Sequence, residues 1–486
     1  VIVIDNKCSK IVPLIGLHQS NTQNIACQIA NLLGGEIIET NNSNDQSFLN
    51  LDAFGNQWGW KRSGKINDWS KLVIKQAKNE EIFCKQLSGN SLWKNSESGE
   101  IINQINEKEI EKPDSTFHVS IFENHETTWH PPVLWIGIGC ERNTSKELIA
   151  NSLNNFLESG NLSQQSIAGF ATIDIKKDEK GILELAEEKN LPIKFFSKED
   201  LSTIIVPNPS NVVQNEIGTP SVAEASCLLA AGEESKLLEE KRIFKNQSGA
   251  VTIAVAESKN QYNPTHGEIH IIGSGPGDIS FLTNNARKAL SRCTVWIGYK
   301  MYLDLIKSLK RSDQVLIESK LTEEKERCSK AIKLAEEGIK VALISSGESG
   351  FYGMAGLLLE LLQKIKKEYR PYFEVHPGIS SVQLAAAISG APLMNDFCSV
   401  SLSDKLTPWS LIEKRIEGAL VGDFVIALFN PQSIERNWQL KSVIDICLQS
   451  RHGDTPVLIA RQVGRENQTK KFFTLNTIPF KEIDML

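Results

Sequence analysis

From Gly267 onward, short runs of consecutive apolar residues alternate with stretches in which apolar positions recur every three or four residues. Continuous runs such as VALIS (341–345) and FVIALF (424–429) suit parallel strands buried on both faces. The pattern predicts strands at 269–272, 294–298, 314–317, 341–345 and 373–376, separated by helices. The helix after Leu321 is expected to take Thr322 as its N-cap, with Glu323 and Glu324 in its first turn. Its apolar stripe reads Cys328, Ala331, Ile332, Ala335 and Ile339. After about Ala391 a second lobe follows, with strands at 398–402, 424–429 and 457–460 and one near 472–475. Two lobes leave a cleft between them, a usual place for a small ligand.

Upstream, the same alternation is less regular. Residues 1 to about 112 form a first unit, with strands in VIVID, IVPLIGLH and EIIET and a helix over Asn24–Leu33 ending at Gly34-Gly35. The polar, weakly periodic segment 85–132 is expected to hold the first boundary. A second α/β unit, 133–256, opens on the strand VLWIGIG, followed by a helix from Ser145 with Thr144 as its N-cap. GFATIDI, PIKFF and VTIAVA supply further strands, and ESKNQYNPT (257–265) reads as the linker.

The 486 residues leave room for three or four domains, and 41% hydrophobic content fills several cores. A net charge of −6 argues for neither nucleic acid nor an acidic membrane surface as a partner. No apolar run reaches membrane-spanning length. The nine cysteines are scattered, which fits a reducing cytoplasm, and no closely spaced Cys/His set predicts a metal site. Because the chain opens inside VIVID and stops at Leu486 without a helix or cap, it is expected to be truncated at its first residues and within its last lobe.

Chemistry concentrates at GEIHIIGSGPGD (267–278), a strand running into a loop with glycines at 273, 275 and 277. A dinucleotide fingerprint needs a third glycine where Asp278 stands, and the acidic residue expected about 20 positions on is missing. This counts against a nicotinamide-dependent oxidoreductase. A P-loop would end in Gly-Lys-Ser/Thr, which is absent. The remaining GxGPGD loop can hold a ligand against bare backbone or be purely structural.

Six motifs in one order settle the direction of the reading: GSGPGD (273–278), SSGESGFYGMA (345–355), HPGISSVQLAAA (376–387), GAPLMNDF (390–397), SLSDKLTPW (401–409) and DFVIALFNP (423–431). Together they resemble the tetrapyrrole methyltransferases of corrin biosynthesis, and most closely the ring-contracting precorrin-3B C(17)-methyltransferases. The resemblance implies two α/β lobes, about 267–390 and 391–486, preceded by smaller α/β domains. It implies S-adenosyl-L-methionine in the cleft, a precorrin or cobalt-precorrin substrate and a homodimer. WIGIGCERNTS, the 171–197 segment and GTPSVAEASCLL resemble the C-terminal domain of cobalt-precorrin-5A hydrolases. PLIGLHQSNTQNIA is similar to the central part of that family, keeping Pro13, Leu14, His18 and Ala26. A hydrolase half would open the lactone left by ring contraction. A different methyltransferase, acting at C(11) or on uroporphyrinogen, with a non-catalytic docking module upstream is the alternative.

By motif match, the resemblance places Pro276 in the cofactor cleft and Ser346, Gly347 and Glu348 at the methionine end. Phe351, Ser380, Ser381 and Leu428 fall on further cofactor-contacting positions, with Gly464 a weaker match. Ser380-Ser381 could equally cap a helix, and His376 reads as a strand-end residue. Asp404 could face the macrocycle or cap the helix near Pro408. Lysines and arginines should meet the substrate carboxylates, and no residue is assigned to catalysis.

Overall fold

A computed structural model describes residues 2–13, 22–38, 48–106, 113–123, 127–247, 249–433 and 437–484. His18 and most of the PLIGLHQSNTQNIA segment lie outside the described residues.

In the third region the predicted alternation is realised almost strand for strand. β1 (Glu268–Gly273), β2 (Val295–Tyr299), β3 (Val315–Ser319), β4 (Lys340–Ser345) and β5 (Tyr372–His376) form one parallel sheet in the order β3-β2-β4-β1-β5. α1 (Asn284–Arg292) and α2 (Lys300–Ile306) cover one face through Ile272, Trp296, Ile344, Ala286 and Leu303. α3 (Glu324–Glu336) and α4 (Ala355–Leu362) cover the other, where Ile269, Ile271, Val295 and Leu343 meet Cys328, Ala331 and Leu358. Parallel crossovers bury both faces, which is why these strands read as unbroken apolar runs. Thr322 does not cap α3; Glu323 holds that position, and its own carboxylate accepts from the Lys320 N–H at 3.0 Å.

α5 (Ser381–Ile388) leads to the second lobe. There β6 (Phe397–Ser401) pairs in parallel with β7 (Val425–Phe429), and β8 (Pro456–Arg461) pairs antiparallel with β9 (Thr469–Thr474). α6 (Trp409–Val421) and α7 (Gln439–Ser450) pack on them around Leu402, Ile412, Ile416 and Val443.

The second unit is a five-stranded sheet ordered 193–196, 167–173, 134–140, 249–257, 236–246, parallel over its first three strands and antiparallel after. Its first long helix, Lys146–Ser159, is capped by Ser145, which accepts from Leu148 N–H; Thr144 instead donates to the Glu141 carbonyl at 2.9 Å. The strand Lys236–Asn246 carries Glu, Lys and Arg on a half-exposed edge and gave no apolar signal.

The first unit holds a small three-stranded sheet and a five-stranded one. The latter draws strands from both sides of residue 112: 61–63, 128–130, 116–119, 83–86 and 103–104 in that order. Its core of Phe54, Trp58, Trp60, Trp69, Trp93, Phe117 and Trp129 is continuous with the α3/α4 face of the third region. The segment 257–265 is therefore no free tether. Gln261 is 2% exposed; its amide donates to the carbonyls of Trp58 (2.8 Å) and Glu337 (2.7 Å) and accepts from Trp60 Nε1 (2.7 Å).

Candidate active site

β1, β4 and β5 end level with one another, because Gly273 pairs with Ser345 and Ile272 with His376. Their following loops, 274–278, 346–351 and 377–381, therefore emerge side by side. From β1 the chain crosses past β4 to reach β2, and from β4 it crosses past β1 to reach β5. The crevice outside such a switch point is where open α/β sheets bind ligands.

Bare backbone makes this convergence possible. A Cβ on Gly273 would lie 2.5 Å from Gly378 N and 2.9 Å from Gly347 O, and one on Gly378 would lie 2.1 Å from Gly347 O. Gly275 and Gly347 exchange both backbone hydrogen bonds, at 3.1 and 2.8 Å, with φ at +75° and +62°. The second lobe closes on the same loop. Asp278 N–H donates to Gly464 O at 2.7 Å, and Arg465 Nε donates to Pro276 O at 3.3 Å. The Asp278 carboxylate ends the turn by accepting from Ser280 N–H at 2.7 Å.

Around this knot the predicted residues fall as follows. Pro276 packs beside Gly464, whose Cβ position would be 3.0 Å from Pro276 Cγ. Gly347 faces Ser380, with 3.9 Å from its Cβ position to Ser380 Cα. Ser346 lies against Tyr302 of α2; burial raises that phenol's pKa, while the Arg465 charge and the Ser346 hydrogen bond pull it down. Glu348 folds onto its own loop, accepting from Gly350 N–H at 2.7 Å. Ser380 is 6% exposed and caps α5, its N–H donating to Gln383 Oε1 at 2.9 Å, while Ser381 starts the helix. Phe351 stacks on Tyr352 (4.8 Å between centroids) and meets Phe429 edge-on (5.2 Å). Leu428 sits with the α6/α7 core of the second lobe, and its neighbour Phe429 turns toward the first. Asp404 accepts from Gln439 Nε2 at 3.1 Å, at the start of α7.

Reading the sequence missed Tyr302, Tyr352, Gly378 and Arg465. Tyr352 holds φ +55° and donates to Ser399 O at 3.0 Å, tying the two lobes together. Gly378 stood in a quoted motif, and only its packing against Gly273 shows why it must be glycine. Ser349, fully buried in the 346–351 loop, has a hydroxyl without a hydrogen-bond partner among the described residues.

Residues 268–479 match the family described as Tetrapyrrole (Corrin/Porphyrin) Methylases, and residues 134–256 match Cobalamin synthesis G C-terminus. A probable cobalt-factor III C(17)-methyltransferase of Salmonella typhimurium is 43% identical over 217 residues, 45% of this chain and 89% of that one. The chain belongs to the tetrapyrrole methylases. The cobalt-factor III methyltransferase of Priestia megaterium is 44% identical over 222 residues, and this chain covers 41% of its length. The crystal structure of the methyltransferase CobJ is 33% identical, with a TM-score of 0.43 over 45% of this chain and 91% of that one.

Outside the methylase region, the quoted upstream motifs also converge. Arg142 Nη1 contacts Asp178 at 2.6 Å on the surface, and beneath it the nearly buried Lys176 and Glu179 pair at 3.2 Å. Burial pushes the adjacent Cys140 thiol up to about 11, so at neutral pH it is no ready thiolate. Among the described residues, no helix is long and apolar enough to cross a membrane.

Proposed function

We propose that residues 267–486, as lobes 267–390 and 391–486, transfer the methyl group of S-adenosyl-L-methionine to C(17) of precorrin-3B or its cobalt counterpart, with ring contraction. The observation that carries this is the knot of Gly273, Gly275, Gly347 and Gly378 at the switch point, in a region 43% identical to a probable C(17)-methyltransferase. The bound cofactor supplies an electrophilic methyl carbon. The chain's own task is to align donor and acceptor and exclude water, since in-line methyl transfer needs little acid–base help.

The residues fit such a group. The Gly347–Ser380 gap is lined by backbone, Ser346 and Glu348 flank it, and the unsatisfied Ser349 hydroxyl lies in the same loop. Pro276, Phe351, Ser381 and Leu428 would border it, Leu428 through its backbone. Arg465, at the lobe junction, is placed to meet a substrate carboxylate. We assign residues 133–256 and the unit before them to a hydrolase-like half that acts on a later corrin intermediate. The whole works as a homodimer in the cytoplasm. As a second reading, the shared aromatic core favours a first unit that serves as a rigid platform for the methylase.

Calorimetric titration with S-adenosylhomocysteine tests the site. Glu348→Ala is expected to weaken binding about tenfold, ~1.4 kcal/mol, and Pro276→Ala by less. Unchanged affinity in both would overturn the site assignment. Turnover of cobalt-precorrin-3 to a ring-contracted C(17)-methyl product decides between this reaction and methylation at C(11).

A further inference from the structure

On the face of the sheet that carries α1, three side chains from two strands converge beneath the cleft. β1 and β5 pair in register, with His270 beside Glu374 and Ile272 beside His376. His270, Glu374 and His376 therefore point to one side, one strand end below the Pro377–Ser381 loop. His270 Nδ1 lies 2.9 Å from His376 Nε2, and Glu374 Oε2 lies 3.9 and 3.8 Å from those two nitrogens. The point equidistant from the three atoms is about 2.1 Å from each, which is the bond length of zinc to imidazole and carboxylate.

The surroundings prepare these atoms for a cation. His270 Nε2–H donates to Glu268 Oε2 at 2.8 Å, so the neutral ring presents its lone pair at Nδ1, toward His376. A carboxylate behind a ligating imidazole is the arrangement that fixes tautomer and orientation in metal sites. Lys340 and Arg292, the cations nearest this group, are both engaged by Glu268, at 2.5 and 3.2 Å. The two imidazoles are nearly buried, at 1% and 7% exposure, whereas Glu374 is 47% exposed. The site is thus closed on the protein side and open to solvent at Glu374, where an ion could enter and keep a water ligand.

We propose that His270, Glu374 and His376 form a binding site for a divalent transition-metal ion of the zinc class, with Glu268 as the positioning residue behind His270. Two nitrogens and one oxygen at these distances suit zinc, cobalt(II) or nickel(II) and do not suit calcium or magnesium, which take all-oxygen shells. The ion would tie the edge strand β5 to β1 directly under the loop that packs on Gly273 and Gly347. Its presence does not depend on the methyl-transfer reading.

The test uses the full chain, stripped with a chelator and titrated with zinc against a chromophoric zinc indicator. One tight equivalent is expected, weakened at least tenfold by Glu374→Gln and by about 10–100-fold by Glu268→Gln. His270→Asn/His376→Gln should abolish it. Zinc should also raise the melting temperature of the parent by several degrees and leave the double variant unchanged. Cobalt(II) should give the visible absorption of a four-coordinate site in the parent alone. Glu374 is exposed, so Glu374→Gln folds normally and decides the matter if the histidine variant does not. No zinc uptake by the parent, or uptake equal in the parent and in Glu374→Gln, would overturn the proposal.

Discussion

At the residue scale, the cleft depends on what is missing from four positions. Gly273 and Gly378 leave no room for a methyl group because each would meet backbone, which cannot rotate away as a side chain can. Gly273→Ala is expected to cost about 1–3 kcal/mol in urea-melt stability, the usual penalty for overpacking. It should also weaken S-adenosylhomocysteine binding at least as much as Glu348→Ala does. An alanine variant with parental stability and affinity would show that the three loops do not need to touch. The glycines at 273, 275 and 277 are plain in the sequence, but their partners at 347 and 378 lie in loops after other strands, and no local spacing pairs them. The same limit hid His270 and His376, which stand 106 positions apart and meet only because β1 and β5 are neighbours.

Elements were easier to read than caps. Buried parallel strands announce themselves as apolar runs, so β1 to β5 appear within a residue or two of their predicted limits. Caps were less legible, because adjacent hydroxyls such as Thr144 and Ser145 compete for one position and backbone geometry chooses. The strand Ile193–Phe196 adds a charge that no periodicity reveals. Lys194 Nζ lies 4.1 Å from the Trp135 ring centroid and 4.5 Å from that of Tyr262, and it donates to Ala230 O at 3.1 Å. Burial lowers its pKa to about 8, with the Glu336 carboxylate opposing. Between about pH 8 and 10.5 the unfolded chain therefore holds a proton that the folded one has lost, and this group makes stability rise with pH across that window. Lys194→Met should flatten the rise, measured by denaturant melts at several pH values.

For the molecule as a whole, the first unit and the methylase sheet share one core. Trp58 and Trp60 lie in the same cluster as Ile269 and Ile271, and the Gln261 side chain joins both sides through hydrogen bonds with Trp58, Trp60 and Glu337. Trp60→Ala is expected to cost about 3–5 kcal/mol. Hydrogen exchange should show the loss in β1 and β4 as well as in the first unit. Faster exchange confined to residues before 131 would mean that the two fold separately.

The sequence alone determined the strand-and-helix alternation, the two lobes and the glycine loop, because burial and turn chemistry are written locally in apolar runs and small residues. It also carried the family through the order of six motifs. Tertiary structure alone decided which loops touch, that the segment 257–265 is a buried joint, and that the first unit's sheet runs on to His130. It alone set two histidines and a glutamate around one point. Those outcomes rest on strand order and register, which are settled by the packing of whole faces and leave no mark at any single position.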